Sequence, residues 1–181
     1  MKNDMLTSKR LQLRAVEPGD IDILYRWEND PAIWMVSNTL TPYSRFQIEE
    51  YVMNARNDIY TTRQLRLMIV GHKGNIKGKA IGAIDLFDFD PVHLRAGTGI
   101  MVREEFRGGG YASEALDVLV SYAFEVLNLR QLYSNIMPHN IASISLFEKF
   151  GFERCGIKKD WIRIGDSWQE EWMFQLIRHN V

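Results

Sequence analysis

The chain has a single cysteine, Cys155, among 181 residues. One thiol cannot close an intrachain disulfide, so a cysteine-stapled fold is excluded and the reducing cytoplasm is the expected compartment. An excess of either charge is missing too: 22 Lys and Arg face 23 Asp and Glu, a formal net charge of −1. A dedicated nucleic-acid binder normally carries a clear basic excess, so that class is set aside. No apolar run approaches the ~18 residues needed to cross a bilayer, and residues 1–8 lack the apolar core of a signal peptide. Neither nucleic acid nor membrane is an expected partner. The histidines, His72, His93, His139 and His179, show no ligand spacing, and no metal is expected. No Pro- or Gly-rich linker divides the chain and nothing repeats at a fixed period. One domain over residues 1–181 is the expectation.

Apolar material is ample: 46% of residues are hydrophobic and 25% charged, close to the soluble globular average. Its period changes along the chain. Arg10-Leu11-Gln12-Leu13-Arg14 alternates and predicts a short half-buried strand. Glu17-Pro18-Gly19-Asp20 then breaks the pattern. Ile21, Leu24 and Trp27 share one helical face, and Pro31 is expected to end that helix. A second helix is predicted over 44–56 from the stripe Phe46, Ile48, Tyr51, Val52 and Ala55. Leu65, Leu67 and Ile69 alternate as a strand, a hairpin turn follows at 71–75, and strands are predicted over 79–89 and 95–103. Residues 110–127 give the clearest helix, with Ala115, Leu116, Leu119, Ala123 and Phe124 on one face. A strand over 131–137, a helix over 142–150 closed by Gly151, and strands over 156–164 and 169–177 complete the order. This predicts an α/β (α+β) mixed sheet of about seven strands with four helices on its faces.

The chemistry-bearing segment is Val102-Arg103-Glu104-Glu105-Phe106-Arg107-Gly108-Gly109-Gly110-Tyr111-Ala112-Ser113, a strand, a glycine-rich turn and a helix start. Three successive glycines let a ligand approach the main chain closely. The first amides of a helix have no internal acceptor, and the helix dipole adds partial positive charge there. The result is a phosphate or pyrophosphate socket with Arg107 as a further cation. A dinucleotide fingerprint wants glycine where Ser113 stands, and a nucleoside-triphosphate loop wants Gly-Lys-Ser/Thr where Tyr111 follows. Both are disfavoured.

Arg107-Gly108-Gly109-Gly110-Tyr111-Ala112 resembles the Gln/Arg-x-x-Gly-x-Gly/Ala signature of the GNAT family of N-acetyltransferases. Asn140-Ile141-Ala142-Ser143, followed by Leu146-Phe147-Glu148-Lys149-Phe150-Gly151-Phe152, is similar to the family's second coenzyme-contacting helix. Arg10-Leu11-Gln12-Leu13-Arg14 and Trp27-Glu28-Asn29-Asp30 resemble the branch that acetylates ribosomal-protein amino termini and polyamines. The resemblance implies a mostly antiparallel sheet with a V-shaped wedge between its central strands, and acetyl-CoA as co-substrate lying in that wedge. Main-chain groups of Ile100, Met101 and Val102 would bond the pantetheine arm as an added strand would. Amides from Arg107 through Gly108, Gly109, Gly110, Tyr111 and Ala112 to Ser113 would hold the pyrophosphate. Asn140 would anchor the end of the arm with Ser143 and Phe147 beside it, and Lys149 would reach a nucleotide phosphate.

The implied reaction is direct attack of a primary amine on the thioester. The amine must lose a proton, its reference pKa being ~10.4 for a lysine-type amine and ~8 for an α-amine. A tyrosine that serves many relatives as acid is replaced by Phe147, leaving the Ser143 hydroxyl as the candidate. A glutamate that many relatives carry on the strand before the glycines is replaced by Gly97. Asp85, in an apolar context where burial raises a carboxyl pKa, is the candidate base, with Asp160 behind it. Trp34 and Asp85 are candidates for binding the acceptor. The loop Ser37-Asn38-Thr39-Leu40-Thr41-Pro42-Tyr43 is uncharged, which argues against a close polyamine specialist, although Asp85, Asp88 and Asp90 give one strand some negative field; the expected acceptor is a protein amino terminus, a polyamine or another small amine. Self-association into a homo-oligomer is compatible with the resemblance. The alternative reading is a non-catalytic acetyl-CoA-binding sensor of the same fold, favoured by the missing tyrosine and glutamate.

Overall fold

The computed structural model describes residues 5–37, 39–55 and 57–178. Alternation at the amino-terminal end becomes β1 (Leu11–Ala15), where Leu11 and Leu13 are buried. Asp20 closes the following turn: its carboxylate accepts from the Glu17 amide and pairs with Arg14 at 2.6 Å. Helix α1 (Ile21–Glu28) then buries Leu24 and Trp27.

Pro31 does not simply stop that helix; it opens another, α2 (Pro31–Ser37). Proline lacks an N–H that the first turn leaves unpaired anyway, so its ring favours a start as readily as a stop. Ser44 and Gln47 form a reciprocal capping box for α3 (Arg45–Asn54). Arg56, predicted inside that helix, lies outside the described residues. Asp58 caps a single unpredicted turn, α4 (Ile59–Thr62), by accepting from the Tyr60 and Thr61 amides.

Strands β2 (Leu65–Gly71), β3 (Ala80–Asp90) and β4 (Arg95–Val102) follow as an antiparallel meander. Helix α5 (Tyr111–Glu125), β5 (Gln131–Ile136), α6 (Ile141–Lys149), β6 (Glu153–Ile164) and β7 (Ser167–Ile177) complete the chain. The sheet has seven strands in the order β1-β2-β3-β4-β5-β7-β6. All its pairs are antiparallel except β4 with β5.

Alternate residues of a strand face opposite sides, and this separates two apolar clusters. Leu67, Ile69, Ile84 and Leu86 pack with Ala115, Leu116 and Leu119 of α5 and Phe147 of α6. Met68 and Ala83 pack on the other side with Leu24 and Trp27 of α1 and Ile48 and Val52 of α3. A fully buried leucine such as Leu116 contributes about 2 kcal/mol by area, so α5 is fixed firmly on its face.

The parallel contact between β4 and β5 lasts only from Arg95↔Gln131 to Gly97↔Tyr133. Beyond it the two strands part, while β4 stays paired with β3 as far as Gly82↔Val102. One edge of β4 at Ile100, Met101 and Val102 therefore has no strand neighbour. This is the expected wedge.

Candidate active site

A cavity of about 980 Å³ occupies the wedge and runs through to the α1 side of the sheet. Its first half is built from main chain. Gly108 and Gly110 both have φ near +77°, a conformation that side chains disfavour, and Gly110 is the residue preceding α5. No side chain caps this end, so the first amides of a 15-residue helix are left to a ligand. Glu114, in the first turn, does not compete for that role. Its carboxylate accepts from the Ser8 hydroxyl at 2.6 Å, the Arg10 amide at 2.6 Å and the Arg10 guanidinium at 2.7 Å. Burial pushes the Glu114 carboxyl up, but the Ser8 and Arg10 donors outweigh it and hold it below the usual value. Arg10 also donates to the Gly109 carbonyl and lies 4.5 Å from the Tyr111 ring centroid, so the amino-terminal segment braces the glycine turn.

The sequence-predicted coenzyme residues Ile100, Met101, Val102, Arg107, Gly108, Gly110, Tyr111, Ala112, Ser113, Asn140, Ser143, Phe147 and Lys149 all line this cavity. Gly109 does not; its carbonyl is turned to Arg10. Arg107 Nε donates to the Val102 carbonyl at 3.0 Å, so the guanidinium also fastens the end of β4. Lys149 Nζ reaches the Ser113 hydroxyl at 3.2 Å and thereby joins the end of α6 to the start of α5. Asn140 caps α6, its Oδ1 accepting from the Ser143 amide at 3.2 Å. The cap role thus falls to Asn140, and Ser143 is among the residues lining the cavity. Phe147 is buried edge-on against Phe152, with ring centroids 4.9 Å apart.

The second half is built from charged side chains. Arg66 of β2 forks onto Asp85 of β3, Nε to Oδ1 at 2.7 Å and Nη2 to Oδ2 at 2.9 Å, and its Nη1 donates to Glu28 Oε1 of α1. Burial would lower the Arg66 pKa, but Asp85, Tyr51 and Glu28 hold it well above its usual value. Tyr51, over whose ring Arg66 lies at 5.6 Å, is pushed up to about 12 by burial, with Asp85 and Glu28 adding to the rise. Asp85 is therefore not an unpartnered carboxyl in apolar surroundings, as its sequence context suggests; both its oxygens are committed to one guanidinium. Glu28 keeps its second oxygen. In the sequence Glu28 stands out only as part of a motif and Arg66 carries no local signal, because their meeting joins chain positions 38 residues apart. Glu171, buried and paired with Lys158 at 2.7 Å, lines the far wall.

Two candidates fall elsewhere. Trp34 is not among the lining residues; its indole N–H donates to the Glu28 carbonyl at 2.7 Å, and Ala32 and Ile33 line the cavity instead. Asp160 sits on an exposed bulge of β6 with φ 49°. The position of the missing glutamate also has a physical explanation. A Cβ on Gly97 would come within 2.2 Å of the Phe87 ring, which packs edge-on to Tyr133. Among the described residues no group of three or more His, Cys, Asp or Glu is arranged to hold a metal, and no helix is long and apolar enough to cross a membrane. His179 and the loop residue Asn38 lie outside the described residues.

A family model described as an acetyltransferase (GNAT) domain matches residues 10–153. The uncharacterized N-acetyltransferase p20 of Bacillus licheniformis is 27% identical over 176 residues, covering 97% of this chain and 97% of that protein. The spermidine N(1)-acetyltransferase of Vibrio cholerae is 26% identical over 152 residues, 82% of either chain. A crystal structure of spermidine N-acetyltransferase from Vibrio cholerae, in complex with CoA and spermine, is similar with a TM-score of 0.83 at 23% identity, over 94% of this chain and 96% of that one. Another structure from that organism is described as dodecameric.

Proposed function

This chain belongs to the GNAT acetyltransferase family, and from that premise we propose that it moves an acetyl group from acetyl-CoA to a primary amine by direct attack on the thioester. The observation that carries the proposal is one continuous cavity, from uncapped helix amides at Gly110 to the Glu28–Arg66–Asp85 cluster. The amide array and the lone edge of β4 fit a diphosphate with an extended arm. Acetyl-CoA would supply the activated acyl group.

Arg107 and Lys149 add positive charge beside the α5 amides, and Asn140 fixes the start of α6 at the arm's far end. In the acceptor half, two carboxylates around one guanidinium leave a formal charge of −1, suited to drawing in an ammonium group. Asp85 contributes charge and holds Arg66 in place. Glu28, with an oxygen to spare, receives the ammonium proton directly or through water. The Ser143 hydroxyl can hydrogen-bond the departing thiolate, which takes up the second proton that the attacking nitrogen releases. A thiol of reference pKa ~8.5 also leaves without protonation, so Phe147 in place of a tyrosine is compatible with turnover.

Self-association is part of the same reading. The β6–β7 hairpin exposes Ile157, Trp161, Ile164 and Trp168, an apolar surface suited to another copy; light-scattering mass measurement tests it.

Acetyl-CoA at saturating concentration should raise the Tm, because a ligand of the folded state alone must stabilise it. Thiol release with a panel of amines should then exceed release in buffer. Stabilisation without release would establish a coenzyme sensor, and no stabilisation would overturn both readings.

A further inference from the structure

The peptide unit between Gly109 and Gly110 has little steric reason to face one way rather than the other. Turning it over changes only ψ of Gly109 and φ of Gly110, and neither residue has a Cβ to oppose the rotation. In a trans unit the carbonyl and the following N–H point in opposite directions, so one orientation shows the cavity a donor and the other an acceptor. A diphosphate is drawn to the first and repelled by the second. Among the described residues the amides of 108–113 donate no hydrogen bond. The first amide to do so is that of Glu114, bonded to the Gly110 carbonyl at 3.1 Å.

Arg10 sets the choice from outside the cavity. It stands just before β1, and its main chain is pinned on both sides: the carbonyl accepts from the His72 amide at 2.9 Å, and the amide donates to Glu114 Oε1 at 2.6 Å. Its side chain is pinned in turn by Glu114 Oε2, which accepts from Nε at 2.7 Å, and by the Tyr111 ring at 4.5 Å. So aimed, Nη1 donates to the Gly109 carbonyl at 3.0 Å. The same two side chains close over the peptide unit. A Cβ on Gly109 would fall 2.6 Å from the Tyr111 ring, and one on Gly110 would lie 3.5 Å from Arg10 Nη2. Gly110 lines the cavity and Gly109 does not. With the Gly109 carbonyl held by Arg10, the Gly110 N–H is left pointing the opposite way.

We infer that Arg10 is a positioning residue for the coenzyme: through the Gly109 carbonyl it locks the Gly109–Gly110 peptide with its N–H towards the diphosphate. The inference rests on the acetyl-CoA reading above for the identity of that diphosphate. A lysine could not take over the task, because a single ammonium on a flexible stem cannot fork between Glu114 and Gly109 while lying flat on a ring.

The test is titration calorimetry with CoA on the full chain and on Arg10→Ala, Arg10→Lys and Arg14→Ala. Loss of one positioned hydrogen bond should weaken CoA about fivefold to tenfold in Arg10→Ala. Arg10→Lys, which keeps the charge but not the fork, should remain about threefold weaker or more. Arg14→Ala opens the Arg14–Asp20 pair and controls for stability lost around β1. Its CoA affinity should stay within about twofold, as expected of an independent site. In Arg10→Ala the NMR shift of the Gly110 amide on CoA addition should also shrink, while those at 140–143 persist. Equal affinity in Arg10→Ala and the unaltered chain, an equal loss in Arg14→Ala, or full recovery in Arg10→Lys would overturn the lock and leave the coenzyme reading standing. Failure of the unaltered chain to bind CoA would overturn both.

Discussion

The coenzyme half of the cavity is made of main chain, whereas the acceptor half is made of charged side chains drawn from α1, β2 and β3. The first depends on where one helix begins and on φ near +77° at Gly108 and Gly110. Such a site tolerates changes of side chain but not of backbone conformation. The second depends on three residues far apart in sequence, held together by a partly buried guanidinium. It can be retuned by one substitution, and the same substitution threatens the fold. On the proposed reading, coenzyme use and acceptor choice fall to separate parts of one cavity.

That division can be broken most forcefully at Arg66. Arg66→Ala leaves Glu28 and Asp85 facing each other partly buried, and breaking such a cluster should cost about 2–4 kcal/mol, read from the urea midpoint. Little change would mean that the acceptor half is not electrostatically organised. Gly110→Val comes next. A branched side chain in the left-handed region costs about 1–2 kcal/mol, and acetyl-CoA affinity by calorimetry should fall at least tenfold as the amides turn away. Asp85→Asn, by contrast, should leave that affinity within about twofold; an equal loss in both would erase the distinction between the halves.

Within the acceptor half, Glu28→Gln should lower kcat/KM about tenfold or more at neutral pH and recover partly at high pH, where the amine is already neutral. Asp85→Asn should follow the same pattern more weakly, and a flat pH response in both variants would remove the carboxylates from proton transfer. A smaller effect concerns acid stability. Burial raises the Asp20 carboxyl, but Arg14 and the Glu17 amide more than offset it, and Glu114 is likewise held low by Ser8 and Arg10. A carboxyl whose folded pKa is depressed stabilises the fold above its unfolded value near ~4 and loses that contribution as pH falls through the folded value. Glu114→Gln should therefore flatten part of the decline in urea stability below about pH 4, by no more than about 1 kcal/mol.

What the sequence made legible follows the same division. The glycine turn, the helix start after it and the Asn140 segment are local patterns, and their predicted coenzyme residues other than Gly109 reappear around one cavity. Seven strands were readable because each alternates or is bounded by turn residues. The turn at Ile59–Thr62 is too short to show a period, and Pro31 reads as a stop although it serves as a start. Asp85 could be placed on a strand but not beside Arg66, since pairing of β2 with β3 and the approach of α1 are tertiary facts. Trp34 could be placed near the cleft but not turned away from it. No local signal foretells that Phe87 fills the space over Gly97.

The central claim is that amides at the start of α5 hold the coenzyme diphosphate. Amide NMR shifts during titration with acetyl-CoA read those groups one by one. The largest shifts should fall at residues 108–113, with smaller ones at 100–102 and 140–143. Largest shifts on another edge of the sheet, or none at saturating coenzyme, would contradict it.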